Sequence, residues 1–274
     1  MIRLIASDID GTLLQNGATE IPEEIFQEIR RLAERGILFC PASGRQYSSL
    51  RRLFAPAADR LPFLCENGAV VFGPGSPGPV LAKTVMDRPR AEALCRDIAA
   101  LPEAEALVSG ENTSYIFPKR PGMLELVRDF VGNHTVTLAS PDQVPEDIVK
   151  VSAWCPGCLE ETWQALSPRW GGVFRAAIAG EAWVDFTLAD KGTGLTRLCA
   201  ALGIGLEEVM AFGDNYNDLP MLSIAGQPYI METAAPALRE KIPNRCRTVA
   251  ETLRAAFPPG KTRRGAFGHR PKCC

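Results

Sequence analysis

Histidine is nearly missing from this chain: there are 2 in 274 residues, His134 and His269, and neither falls in the acidic motifs described below. Imidazole, the usual side chain titrating near neutrality, therefore has little place in any catalytic reading. An excess of either charge is missing as well. Lys and Arg number 30 against 32 Asp and Glu, a net charge of −2, which gives no electrostatic footing for nucleic acid or an anionic membrane surface. No apolar run approaches the ~20 residues of a spanning helix. The first motif begins within a few residues of Met1, which leaves no room for a signal peptide. Nine cysteines, an odd number, are scattered through a chain too long to be a disulfide scaffold, so a reducing cytoplasm is the expected compartment. Cys155-Pro156-Gly157-Cys158 has no second Cys-x-x-Cys with which to complete a zinc site. With proline and glycine inside it, that run reads as a turn.

What the chain does have is an organising stretch, Leu4-Ile5-Ala6-Ser7-Asp8-Ile9-Asp10-Gly11-Thr12-Leu13-Leu14. An apolar run breaks into two carboxylates two residues apart. It reads as a buried strand whose C-terminal end carries Asp8 and Asp10 into a crevice, where open α/β sheets place their ligands. Carboxylates this close repel one another unless a cation or shared proton intervenes. Mg²⁺, a hard cation held by one or two carboxylates plus substrate phosphate, suits them. A calcium loop would continue with further acids and end in Glu; Thr12, Leu13 and Leu14 follow instead.

Further on, Pro22-Glu23-Glu24 opens a helix, and Ile37 to Cys40 forms a second apolar strand ending in Pro41-Ala42-Ser43-Gly44-Arg45. Strand, helix and strand in that succession imply a parallel βαβ unit. A third strand, Phe63 to Cys65, runs into Glu66-Asn67-Gly68-Ala69 and a short hairpin through Phe72. The Gly- and Pro-rich run 73–79 is the clearest turn signal in the chain. Beyond it, pairs of strands alternate with single helices, near 89–101, 121–131 and 159–167, which suggests an antiparallel α+β sheet. The parallel rhythm returns at Asp190-Lys191-Gly192, then Val209 to Phe212 leads into Gly213-Asp214-Asn215-Tyr216-Asn217-Asp218, and a last strand spans Tyr229 to Met231. The expected fold is α/β: a Rossmann-like parallel-sheet core over 1–83 and 188–257, with an inserted α+β cap over 84–187. Residues 258–274, rich in basic residues, Pro and Gly, are expected as a disordered tail.

Four strand ends or helix starts should thus meet: Asp8 with Asp10, Ser43 with Gly44, Lys191, and Asp214 with Asn217 and Asp218. Each has a use in phosphoryl transfer, which is mainly positioning and neutralisation of phosphoryl oxygens. Asp8 and Asp214 can hold Mg²⁺, while Lys191, the Ser43 hydroxyl and backbone N–H groups after Ser43 can take the remaining oxygens.

Together these residues resemble the haloacid dehalogenase superfamily of phosphatases. Its four motifs stand here as DIDGTLL (8–14), PASGR (41–45), the lysine of DKG (190–192) and GDNYND (213–218). ENGA at 66–69 and the long insertion between the second and third motifs are similar to the Cof-type branch. The resemblance implies that Asp8 is a nucleophile forming an aspartyl-phosphate. Asp10 is then the acid that protonates the leaving alkoxide, the base that deprotonates water, and a Mg²⁺ ligand through its carbonyl. It further implies that Asp214 ligates metal, that Asp218 supports the metal from behind, and that Ser43, Gly44, Lys191 and Asn217 bind the phosphoryl group. The implied activity is a Mg²⁺-dependent, cytoplasmic phosphatase of small phosphorylated metabolites, sugar phosphates foremost, acting on neither nucleic acid nor membrane. A phosphomutase or phosphotransferase using the same intermediate, or a metabolite-binding protein of the same fold, are the alternatives. Arg120, Arg175 and Trp183 are cap candidates for contacting the leaving group, and Glu66 and Asn67 are expected near the domain junction. Oligomeric state is left open.

Overall fold

The structure, a computed structural model, describes residues 1–258; from 259 onward the expected tail lies outside the described residues. The chain opens with β1 (Leu4–Ser7), α1 (Glu23–Ala33), β2 (Leu38–Pro41), α2 (Tyr47–Leu53), β3 (Phe63–Cys65), β4 (Val70–Phe72) and β5 (Val80–Lys83). Next come α3 (Arg88–Ala100), β6 (Glu105–Ser109), β7 (Ser114–Ile116), β8 (Thr135–Thr137), β9 (Lys150–Trp154), α4 (Leu159–Trp170), β10 (Arg175–Ala179) and β11 (Trp183–Thr187). It closes with α5 (Lys191–Leu202), β12 (Val209–Gly213), α6 (Leu219–Leu222), β13 (Gln227–Met231), α7 (Pro236–Arg239), β14 (Asn244–Cys246) and α8 (Val249–Ala256).

Five strands form a parallel sheet in the order β14-β13-β12-β1-β2. Strands β1, β2 and β12 are apolar on both faces, as parallel strands covered on two sides must be. Ile5, Phe39, Met210 and Phe212 pack on one side with Ile25 and Ile29 of α1 and Leu253 of α8. Leu4, Ala6, Cys40, Val209 and Ala211 pack on the other with Leu195 and Leu198 of α5 and Leu238 of α7. Helix α1 illustrates the local logic: Glu23 and Glu24 occupy its first turn and Arg30 and Arg31 its last, each sign against the opposite end of the helix dipole. From β1 the chain goes to β2 on one side and returns much later to β12 on the other. That reversal opens a crevice at the carboxyl ends of β1 and β12.

A second sheet runs β10-β11-β9-β6-β7-β8, antiparallel except for the β7–β8 pair. Period-two alternation divides its faces sharply. Ala106, Val108, Val151, Ala153, Val184 and Phe186 pack against Leu94 and Ile98 of α3 and Leu166 and Trp170 of α4. The opposite face carries Ser109, Lys150, Ser152 and Asp185, all of which line the cleft toward the first sheet. Strands β3, β4 and β5 form a small third, antiparallel sheet; from it the chain crosses to the second sheet at Val85, and it leaves the second sheet at Leu188, residues that are 42% and 41% exposed.

The expected elements reappear with three differences. The helix expected over 121–131 is a π-helical turn, Glu125–Phe130, in which the Val131 N–H reaches back to the Leu126 carbonyl. Gly122 and Gly132, both left-handed at φ 111° and 80°, bound that short segment. The Gly- and Pro-rich run is the turn expected, Gly73 N–H donating to Pro79 O at 2.8 Å; the difference lies just beyond it, where an unexpected strand, β5, returns beside β4. Strand β14 was not foreseen, because an edge strand reading Asn-Arg-Cys with a single buried residue has no apolar alternation to reveal it.

Candidate active site

Strand β1 ends at Ser7 and delivers Asp8 to the crevice, its N–H donating to the Phe212 carbonyl of β12 at 3.0 Å. Strand β12 ends at Gly213 and delivers Asp214; the turn after it buries Asp218. Helix α5 begins with Lys191, pinned by the Asp190 cap that accepts from the Thr193 N–H at 2.7 Å. Carboxylate oxygens of Asp8, Asp214 and Asp218 lie within 4.8 Å of one another. Lys191, 1% exposed, donates to Asp8 Oδ1 at 2.5 Å and to Asp218 Oδ1 at 2.6 Å. Asp218 Oδ2 accepts from the backbone N–H groups of Asp214 and Asn215, each at 3.0 Å. Asp218 is therefore fully occupied in holding Lys191 and the Asp214 loop. Asp8 Oδ2, by contrast, is buried and has no hydrogen-bond partner.

The charges follow from that packing. Burial first, and Asp218 second, hold Asp8 well above the usual carboxylate range, against the pull of Lys191. Burial and Asp218 also raise Asp214. For Lys191 burial works against the charge, but Asp218 and Asp8 more than offset it, and the ammonium is held above the ordinary lysine value. An all-oxygen cluster with one bare buried carboxylate oxygen fits a hard divalent cation. Thr12 donates to Asp214 Oδ1 at 3.0 Å. Gly11, at φ 93°, is what makes room for it: a Cβ there would stand 2.3 Å from Asp214 Oδ2.

Asp10 faces the same cleft with its carboxylate at the surface. Arg45 grips both of its oxygens, Nε to Oδ2 at 3.0 Å and Nη2 to Oδ1 at 2.6 Å, a bidentate pair that fixes orientation as well as charge. Ser43 is buried; its Oγ accepts from the Arg45 N–H at 3.2 Å, which leaves its own proton to give away. Gly44 and the exposed Asn217 complete the edge. Asp8, Asp10, Ser43, Gly44, Asp214 and Asn217 thus line one cleft of about 1950 Å³, with Lys191 and Asp218 buried behind Asp8.

A sequence profile of the haloacid dehalogenase-like hydrolases matches residues 5–252, all four motifs included. The chain belongs to that family. It is 27% identical over 240 residues, 86% of this chain and 88% of the relative, to the 5-amino-6-(5-phospho-D-ribitylamino)uracil phosphatase of Escherichia coli. A crystal structure from Eubacterium rectale, 30% identical, superposes at a TM-score of 0.82 over 93% of this chain and 99% of that one. A HAD subclass IIB sugar phosphatase, 19% identical, superposes at 0.78 over 93% of this chain and 98% of its own, which speaks for the fold alone.

In this haloacid dehalogenase-like hydrolase the wall facing the motifs is built differently from the sequence expectation. Of the three cap candidates only Trp183 lines the cleft. Arg120 turns to Glu105 at 3.0 Å and lies 5.8 Å over the Trp154 ring, and Arg175 pairs with Asp190 at 2.7 Å. Glu66 and Asn67 do sit at the junction, in left-handed conformations at φ 51° and 55°, each a strain of roughly 1–3 kcal/mol for a non-glycine residue. Glu66 meets Lys150 of the second sheet at 2.5 Å; the same ammonium donates to the Gly44 carbonyl at 3.1 Å and lies 3.6 Å from Asp185. Gln46 makes a second seam, accepting from the His134 N–H at 2.7 Å and donating to Ser114 Oγ at 3.2 Å.

Lys150 and Asp185 were missed in the sequence, although a signal was there. Each is a lone charge in an apolar strand, Val149-Lys150-Val151 and Val184-Asp185-Phe186, and a charge so placed requires a buried partner. Lys150→Met is expected to destabilise the protein by about 3–5 kcal/mol, because it strands the 1%-exposed Glu66 without its counter-charge. Urea unfolding measures this, and a loss below about 1 kcal/mol would show that the pair contributes no more than a surface bridge.

Proposed function

We propose that this protein is a Mg²⁺-dependent phosphatase of small phosphorylated metabolites, sugar phosphates foremost, acting through an aspartyl-phosphate on Asp8. The observation that carries the reading is the bare, buried Asp8 Oδ2 inside a three-carboxylate cluster, with Asp8 Oδ1 fixed by Lys191. Asp8, Asp214 and the Asp10 carbonyl would hold Mg²⁺, which supplies neutralisation of phosphoryl oxygens. An Asp8 carboxylate oxygen bonds to phosphorus as the bond from phosphorus to the leaving oxygen breaks. Asp10 gives that oxygen a proton, for which one arm of the Arg45 fork has to open. Water then attacks phosphorus, Asp10 takes its proton, and the Asp8–phosphorus linkage breaks to release phosphate. The Ser43 hydroxyl, Gly44, Lys191 and Asn217 hold the phosphoryl oxygens. Residues 84–187 act as a cap that closes on the hinges at Val85 and Leu188 and keeps bulk water from the first step. Seven described cysteines are all free thiols, which supports a reducing, cytoplasmic setting.

The test pairs turnover with a readout that needs none. Phosphate release from p-nitrophenyl phosphate should require Mg²⁺ and stop with chelator. Mg²⁺ should also raise the Tm, by mass action on the folded state alone. The sign of its pH dependence follows from Asp8 and Asp214, whose raised values mean that the metal-free fold holds their protons more tightly than the unfolded chain. Their ionisation weakens the metal-free fold as pH climbs above the ordinary carboxylate value of ~3.9. Metal needs both ionised, so the Tm gain should grow with rising pH and vanish in acid. A pH-independent gain, or Mg²⁺ binding with no phosphate released from any monoester, would contradict the reading.

A further inference from the structure

Opposite the phosphoryl-binding loop, the second sheet turns Ser109, Ser152 and Asp185 toward the cleft, with Asn67 beside them. This wall is rich in acceptors that are not used up. Asp185 takes the Ser152 hydroxyl on Oδ1 at 2.6 Å and the Asn67 amide on Oδ2 at 3.4 Å, whereas a carboxylate offers about four acceptor sites. Asn67 Oδ1 is buried, has no hydrogen-bond partner and can only accept, whereas the Ser109 hydroxyl is turned to the Glu66 carboxylate. Buried polar atoms of this kind need a donor from somewhere.

The cations nearest this wall are committed elsewhere. Lys150 is the cation of this wall among the described residues, and its ammonium is shared among Glu66, the Gly44 carbonyl and Asp185. Arg45 is spent on both oxygens of Asp10. Arg52, exposed and at the far end of α2 from the loop, is the remaining cation of the lining, which also carries Glu20, Glu23 and Asp129. A transferred phosphoryl group is matched by the site already described. A second anion on the same substrate would meet Asp185 in a partly desolvated cleft, where like charges repel far more than in water.

We propose that Asp185, seated by the Lys150–Glu66 pair, is a specificity-determining residue: it selects leaving groups that offer hydroxyl or amine donors and turns away those that carry a second phosphate or a carboxylate. This rests on the phosphatase reading above and adds a negative element to it, since discrimination is built as effectively from repulsion as from attraction.

Matched substrate pairs test it. Sorbitol 6-phosphate and 6-phosphogluconate, both open chains, differ in the carboxylate at C1; fructose 6-phosphate and fructose 1,6-bisphosphate differ in the second phosphate. For the wild-type protein with Mg²⁺, kcat/KM should favour the member of each pair with a single anionic group by about tenfold or more. The gap should shrink as salt is raised and narrow to a few-fold in Asp185→Asn, which keeps the shape and removes the charge. Equal rates within each pair, or preference for the second anion, would overturn the proposal without any variant being needed. A gap that survives unchanged in Asp185→Asn and in high salt would also overturn it. p-Nitrophenyl phosphate separates the two levels: if it is not hydrolysed, the phosphatase reading fails and this one falls with it; if it is hydrolysed and the pairs show no gap, only the specificity assignment is lost.

Discussion

Asp8→Asn should abolish turnover, a fall on the order of 10⁴–10⁶ in kcat as expected when a nucleophile is removed, without loss of fold. The second half of that expectation separates a catalytic role from a structural one. Ionised Asp8 is a strained member of its cluster: burial and Asp218 disfavour its charge, and Lys191 keeps Asp218 as a partner when Asp8 becomes neutral. The folded state holds the Asp8 proton more tightly than the unfolded chain, so at neutral pH the charge weakens the metal-free fold, and asparagine relieves it. Metal-free Asp8→Asn should therefore melt at or above the wild-type temperature while losing the Mg²⁺-dependent rise. Calorimetry with and without Mg²⁺ reads both. A variant that melts well below wild type would make Asp8 a structural anchor, and the lost turnover would then carry no mechanistic weight.

Asp10→Asn should lower the rate by ~10²–10⁴ where the leaving group needs a proton. A sugar alkoxide needs one; a nitrophenolate does not. The wild-type to Asp10→Asn rate ratio for the phosphorylation step should accordingly be large on a sugar phosphate and small on p-nitrophenyl phosphate. The geometry adds a qualification about Arg45. Its fork holds both Asp10 oxygens, and an asparagine oxygen can keep only one of those bonds, so part of any loss is positional. Positional loss strikes both substrates alike and cancels in the comparison. Equal ratios on the two substrates would mean that Asp10 is not the leaving-group acid.

The half of the site that sits at strand ends was legible from the sequence, and the reason is topological. In a parallel sheet each apolar run stops at the same edge, so the polar residues that follow β1, β2 and β12 must gather there, however far apart they lie in the chain. Asp8, Ser43 and Asp214 needed nothing more than this, and Lys191 followed because α5 starts at the same edge. The opposing wall obeys a different rule. Ser152 stands between Asp185 and Leu107 only through the register of β11, β9 and β6, and antiparallel register cannot be read from strands taken singly. The Lys150–Glu66 contact joins a strand of the second sheet to the turn between β3 and β4, so neither segment announces its partner. The Arg45 fork on Asp10 was hidden for the same reason: each residue was visible in its motif, but their meeting depends on how the two loops face. Arg120 and Arg175 misled because an arginine near a cleft is indistinguishable, in sequence, from one turned to a neighbouring Glu or Asp.

The measurement closest to the central claim is an acid quench of a single turnover with wild-type protein in excess over substrate and Mg²⁺ present, followed by digestion and peptide mass mapping. The predicted result is a phosphoryl group on the peptide containing Asp8, at that residue, rising ahead of inorganic phosphate and decaying as phosphate accumulates. Phosphate appearing at full rate while that peptide stays unmodified at every time point, or a phosphoryl group mapped to any other side chain, would contradict it.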